Sequence, residues 1–437
     1  MTLTLESPTF ASSLNAPTIE HFPQGFTVIA EQIPVEAVNL SLWLNVGSAI
    51  EPDNINGMAH FLEHMVFKGT DKLAIGEFEQ RIEERGALTN AATSQDYTHY
   101  YITTAPQDFA ALAPLQMDVV LAPQLEATAF DRERDVVLEE IRRSADSPRR
   151  RNFARTIEVA FDRLPYRRPV LGTSEIVESL TPQQMRHFHG TWYQPTSTTA
   201  VAVGNLPVEQ LIETVVEGYR QALGDRFSTP ASGFPIPSTQ TPQPEPPFTE
   251  IVRREYTDEQ LQQARLVMMW RVPGMVDIEN TYALDVLATI IGRGRTGRLV
   301  RQLREERGLV SSIGAGNMSH RLQGVFQISA QLPEENLEEV EAAIVDCIRQ
   351  LHAEPVLESE LDRIRTQIAN RFILGNETPS DRAGLYGYFN AMVGNLEAAL
   401  NYPSKIRALT VEDLQQAAQQ YLSPEAYGIV AIRPQSL

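Results

Sequence analysis

Between residues 227 and 250 the chain reads FSTPASGFPIPSTQTPQPEPPFTE, which holds seven of its 28 prolines. Prolines at that density remove amide donors and fix φ, so neither a helix nor a central strand can persist there. The segment is expected to be a semi-rigid, extended linker, and it splits the 437 residues into near-equal halves. A chain of that length exceeds one core of ordinary size, so at least two domains are expected. The halves resemble each other. LSLWLNVGSA at 40–49 and ARLVMMWRVPG at 264–274 are apolar, β-rich runs followed by helical patterns, and aligning Trp43 with Trp270 sets an offset of 227. Farther on, SLTPQQMRHFHGTWYQPTSTTAVAVG at 179–204 matches ALTVEDLQQAAQQYLSPEAYGIVAIR at 408–433, with Pro195 and Pro424 agreeing at an offset of 229. Two distant matches at nearly one offset indicate an internal duplication. The expected fold is α+β: homologous domains at 1–226 and 251–437, each a mixed β-sheet with helices packed on one side, joined by the linker at 227–250.

Composition narrows the chemistry. Lys and Arg number 37 against 56 Asp and Glu, a net charge of −19 that argues against nucleic acid and against anionic membranes as partners. No apolar run approaches the roughly 18–20 residues of a membrane span. The single cysteine, Cys347, rules out an internal disulfide and a thiolate zinc site, so any metal centre must use His and carboxylate. Cys347 sits in an apolar helical pattern and is expected to be plain core. The N-terminal stretch lacks a basic n-region and an apolar h-region; a frayed start and a cytoplasmic location are the expectations.

Within the first half, periodicity predicts a helix over 55–67, a second over 75–85 ended by Gly86, and a hairpin of 87–94 with 98–104. Helices follow at 109–121 and at 131–144, the latter with Asp131 as its expected cap. The first of these helices carries His60-Phe61-Leu62-Glu63-His64. His60 and His64 lie one turn apart on one face, where two imidazoles can meet a single ion. Glu63 shares that side and can reach a metal-bound water. The order inverts the HExxH logic and matches the HxxEH pattern. Two histidines leave a catalytic zinc one protein ligand short. The later helix offers Glu133 and Glu140, seven apart and on one face, with Glu139 about 100° away.

HFLEHMVFKGT at 60–70, the 75 residues lying between His64 and Glu140, and the ERDVVLEEI helix resemble the pitrilysin/insulinase-like zinc metallopeptidases. The resemblance is to the shorter-chain branch typified by the β-subunit of mitochondrial processing peptidase. It implies Zn2+ held by His60, His64 and Glu140, Glu63 as the general base, and Glu133 supporting the ligands from behind. Zinc would lower the pKa of its water and polarise the scissile carbonyl, and Glu63 would move the proton. It also implies a peptide substrate bound as an added strand on an edge at 86–93, with Asn90 and Ala91 among the contacts.

The second copy lacks this equipment. At the offset of 227 the motif falls on Leu287-Ala288-Thr289-Ile290-Ile291, which cannot bind zinc. The family's substrate clamp, an Arg and a Tyr, is half present: Arg304 stands in place, but Ser311 occupies the Tyr position. The chain is therefore expected to be the active member of a dimer whose homologous inactive subunit supplies Arg and Tyr. A homodimer without the Tyr is the alternative, and a catalytically idle assembly subunit is the rival from another class. SADSPRRRN at 144–152, in place of the mitochondrial enzyme's acidic specificity residues, reads as a solvated basic loop. His187 and His189 are expected to be structural, and 292–297 a turn without a nucleotide.

Overall fold

A computed structural model describes residues 16–233 and 242–435. Residues 1–15 and the centre of the proline-rich segment, at 234–241, lie outside the described residues; the frayed start expected to reach a first strand near Phe26–Gln32 is corrected by an earlier strand at Thr18–His21. The strands are β1 (Thr18–His21), β2 (Thr27–Gln32), β3 (Val38–Leu44), β4 (Leu88–Thr93), β5 (Thr98–Thr104), β6 (Thr198–Gly204), β7 (Val252–Asp258), β8 (Ala264–Pro273), β9 (Ser312–Ser319), β10 (Gln323–Leu332) and β11 (Gly428–Pro434). They form a six-stranded sheet in the order β1-β2-β6-β3-β5-β4 and a five-stranded sheet in the order β7-β11-β8-β10-β9. In each sheet one pair is parallel, β2 with β6 and β7 with β11, and the other pairs are antiparallel. Removing β1 leaves the same order twice, with Trp43 and Trp270 on the corresponding strands β3 and β8.

The duplication extends to helix ends. Thr181 caps the helix Pro182–Trp192 and Thr410 caps Val411–Tyr421, each through a reciprocal bond pattern with the third helical residue. In the first half, α1 (Met58–Met65), α2 (Glu77–Glu84) and α3 (Phe109–Leu121) precede α4 (Ala127–Asp146) and α5 (Pro148–Ala160). Two expectations are corrected. Asp131 is not a cap: α4 starts four residues earlier, and Asp131 is exposed and paired with Arg134 at 3.2 Å. The basic stretch is not a loop. It ends α4 and opens α5, whose Pro148 stands in the first turn, where a missing N–H costs nothing.

Every residue of β3 and β6 is buried, which requires cover on both faces of the first sheet. Its own helices cover one face, through Phe61, Phe109 and Val215 against Leu40 and Leu42. The opposite face receives the helix Pro379–Val393 from the second half, with Ala383, Tyr386, Phe389 and Met392 against Ile29, Trp43 and Val201. Gly387 permits this contact, because a β-carbon there would lie 1.9 Å from the Trp43 indole nitrogen. The second sheet is covered reciprocally by α5, whose Ile157, Ala160 and the following Phe161 pack on Met269, Val325 and Val430. The two halves thus exchange equivalent helices. Polar contacts reinforce the exchange: Arg382 and the Tyr386 hydroxyl meet buried Glu31 at 2.6 and 2.8 Å, and Arg151 meets Asp258 at 2.8 Å. The downstream end of the proline-rich segment is docked as well. Buried Glu245 accepts the backbone amides of Asp162, Arg163 and Leu164 and pairs with Arg271 at 3.0 Å.

Candidate metal centre and its cavity

Helix α1 begins abruptly. Gly57 adopts φ +99°, a conformation side chains rarely tolerate, and the carbonyl of Leu171 would meet a β-carbon there at 2.6 Å. The first amides of α1 are then met by Glu51, whose buried carboxylate accepts from Gly57 N at 2.8 Å, Ala59 N at 2.6 Å and Asn56 Nδ2 at 2.8 Å. Burial is the largest influence on this acid and lifts its pKa to about 7 against the pull of those donors. Phe61, Leu62 and Met65 point into the core, and the Phe61 ring packs at a tilt against Phe130 of α4 with ring centroids 4.5 Å apart. That packing sets α4 across α1 and turns the remaining face of α1, with His60, Glu63 and His64, towards Glu133 and Glu140.

The resulting geometry is compact. His60 Nε2 and His64 Nε2 lie 3.4 and 3.6 Å from the same oxygen, Glu140 Oε2. These separations are longer than good hydrogen bonds. They match the spacing of about 3.3 Å expected between ligand atoms arranged tetrahedrally around one zinc ion. His60, His64 and Glu140 are the group found among the described residues that could hold a metal, with ligand atoms within 4.8 Å of one another. The other ring nitrogen of His64, Nδ1, donates to Glu133 Oε1 at 2.9 Å, and Glu133 Oε2 takes Lys68 Nζ at 2.8 Å. Such a bond fixes which imidazole nitrogen faces the cluster. Burial would depress the His64 imidazole, but Glu133 and Glu140 outweigh it and raise its pKa to about 9. Hydrogen bonds from His60 and then His64 hold Glu140 well below the usual carboxylate range. For Glu133, burial pushes upward, yet His64 and Lys68 prevail and lower it. Glu63 stands beside the cluster, its Oε2 accepting the Thr93 hydroxyl at 2.5 Å.

The cluster opens into a cavity of roughly 490 Å³ whose walls include His60, Glu63 and Glu140, Thr93 from strand β4, and Arg150 and Phe153 from helix α5. Strand β4 is the edge of its sheet, with β5 on one side only. The strand's Ala92 and Thr93 line the cavity; Asn90 is exposed beyond it and Ala91 is half-buried. Arg304 lies in the second half, in a helical turn at Val300–Glu306, with its guanidinium on Glu305 at 2.6 Å. Ser311 bonds Gln263 at 2.8 Å, and neither residue lines the cavity within this one chain. Residues 287–291 are buried in the helix Tyr282–Gly292. His189 is tied to the Val120 carbonyl at 3.0 Å, and Cys347 is buried and free. Sequence reasoning missed Glu51 and Lys68, and placed Thr93 on the substrate edge without its bond to Glu63. Lys68 had a signal, standing one turn beyond His64; Glu51 and Thr93 act through turns and strand pairing that leave no periodic trace.

Residues 27–174 match the family model for insulinase, peptidase family M16, and residues 179–368 match that for the peptidase M16 inactive domain. The chain belongs to peptidase family M16. An uncharacterized zinc protease of Mycobacterium tuberculosis is 29% identical over 98% of this chain and 95% of its own length. The zinc protease PqqE of Helicobacter pylori is 25% identical over 92% of this chain and 90% of its own. In fold, this M16 chain is similar to the crystal structure of a protease from Helicobacter pylori, with a TM-score of 0.86 at 24% identity, covering 96% of this chain and 99% of that one. Among its described residues no helix is long and apolar enough to cross a membrane.

Proposed function

We infer that the chain is a zinc-dependent endopeptidase acting on unstructured peptides. The observation that carries this reading is the convergence of both His Nε2 atoms on Glu140 Oε2, with Glu63 alongside at the mouth of a cavity bounded by a sheet edge. Residues 1–226 would form the metal-bearing unit and 251–437 its non-catalytic copy. His60, His64 and Glu140 would hold the ion. Zinc, when bound, acidifies a coordinated water and polarises a carbonyl. Glu63 Oε2 is placed to accept the water's proton and return it to the leaving amine. The Thr93 hydroxyl orients that carboxylate from β4. Glu133, backed by Lys68, keeps the His64 ring turned so that Nε2 faces the ligand cluster. The peptide would pair with the free edge of β4, so that backbone bonds supply affinity and alternate side chains enter the cavity.

The remoteness of Arg304 from this cavity, and Ser311 in place of a Tyr, support a dimeric chamber in which a homologous subunit supplies the clamp. An intact donor set argues against the idle assembly subunit, since a scaffold has no use for those side chains. The test is cleavage of a mixed set of unstructured peptides by the zinc-loaded chain, read by mass spectrometry beside Glu63→Gln. Cuts that vanish in the variant while zinc content stays equal are the expected result. Absence of cuts in both, with metal bound and a homologous partner added, overturns the reading.

A further inference from the structure

Helix α5 has two working faces. One seals the second sheet, with Ile157 and Ala160 buried and Arg151 and Arg155 directed at Asp258. The other, at Arg150, Phe153, Ala154, Ile157 and Glu158, follows helical spacing and forms a wall of the metal cavity. On this wall Phe153 leaves 44% of its surface exposed. Arg150 has no carboxylate partner among the described residues, and Arg167, which lines the same cavity, bonds only the Asp162 carbonyl at 2.8 Å. By contrast, Arg168 is tied to Asp53 at 2.6 Å and to the Ser48 carbonyl at 3.0 Å. Several arginines of the chain pair with a carboxylate; these two do not, and because they share one cavity they are available to a ligand bound there. Glu158 is the acid on this wall, and it forms no ion pair with either of them.

We propose that the α5 wall is a specificity subsite for a carboxylate on the peptide substrate close to the scissile bond, with Phe153 covering its apolar stem and Arg150 and Arg167 receiving its acid group. This rests on the endopeptidase reading above and adds the substrate class: peptides with an acidic residue beside the cut. Guanidinium matches carboxylate in charge and in its paired donors, and a charge-assisted bond of this kind discriminates by about ten- to a hundredfold. The acid group can belong to an internal Glu or Asp or to the peptide's own C-terminus; the chemistry is shared.

The experiment compares matched peptides that differ only by Glu or Gln near the cleaved bond, each with a free or an amidated C-terminus. The enzyme is the zinc-loaded full chain, together with its homologous partner where it needs one. The expected result is a kcat/KM about ten- to a hundredfold higher for Glu than for Gln, falling towards unity in an Arg150→Gln, Arg167→Gln double variant. Arg150→Glu should turn the preference towards Lys. Phe153→Ala should weaken Glu and Gln peptides alike. A preference that follows the free C-terminus assigns the terminal carboxylate as the ligand. Equal rates on all peptides, abolished by Glu63→Gln, overturn the subsite and leave the peptidase standing. Failure to cut any of them despite bound zinc overturns both.

Discussion

At His64 a bound metal would compete with a proton. In the metal-free chain Glu133 and Glu140 outweigh its burial and lift its pKa from 6.5 to about 9, so it is protonated at neutral pH. The folded pKa lies above the unfolded one. The contribution of His64 to the metal-free fold is therefore fully present below pH 6.5 and is lost as pH climbs through about 9. A metal must displace the proton, so zinc affinity should rise with pH up to about 9 and binding should release a proton at pH 7.5. Calorimetry in two buffers of different ionisation enthalpy would read that release; affinity independent of pH between 6.5 and 9 would contradict the assignment of His64 as a ligand. Glu133→Gln removes the partner of Nδ1. It should lower zinc affinity by about ten- to a hundredfold while reducing the proton released, two changes that a purely structural role for Glu133 would not couple.

At the scale of the element, α1 depends on a residue outside itself. Glu51 supplies the acceptors that the first turn needs, and Gly57 supplies the turn. Glu51→Ala would leave buried amides without partners, at a cost of about 1–3 kcal/mol each; thermal unfolding should show a loss of several degrees, and zinc affinity should fall because His60 follows Ala59 directly. The acid's folded pKa of about 7 exceeds its unfolded 4.5, so its contribution is present below 4.5 and disappears as pH rises through 7. Glu51→Gln, which cannot ionise, should flatten that part of the stability profile relative to the native chain. None of this was legible in the sequence, because Glu51 lies in an irregular stretch and meets α1 only after the chain has turned. The helix itself was legible, since Phe61, Leu62 and Met65 alternate with the polar motif at helical spacing. So was the hairpin of β4 and β5, whose pairing follows the strict alternation of burial in β5. The start of α4 was misplaced because Asp131 looked like a cap, whereas the helix opens after Leu125 at φ +51° with no side-chain cap. Three arginines behind a proline looked like a loop for want of apolar periodicity at 148–152, although Pro148 suits a first turn.

At the scale of the molecule, duplication gave two sheets, and the exchange of α5 against Pro379–Val393 makes them one. Neither sheet can cover both faces with its own half: the first needs Tyr386 and Phe389, the second Ile157 and Phe161. A half made alone would expose the apolar side of its sheet, a surface that associates non-specifically. Unfolding of either half must therefore uncover the other. Heat should melt the metal-free chain in a single transition, in contrast to two domains joined by a passive linker. The proposed ligands His60, His64 and Glu140 all lie in the first half, yet bound zinc should raise the midpoint of the whole transition, because a ligand that binds only the folded state stabilises everything that unfolds with it. Two transitions, only the earlier or later of them moved by zinc, would show that the exchanged helices do not couple the halves. The coupling has a defined weak point. Glu31 is buried at 3% exposure and depends on Arg382 and Tyr386 from the opposite half. Arg382→Ala would strand that carboxylate, a change that costs about 3–5 kcal/mol where a buried pair is broken. Glu31→Gln in the same chain should restore part of the loss, since a neutral amide no longer needs the guanidinium. Because neither Arg382 nor Glu31 lines the cavity of the proposed metal site, removal of Arg382 should lower the midpoint of the whole transition while leaving zinc affinity of the folded protein unchanged. That combination separates a loss of coupling between the halves from damage to the metal centre itself.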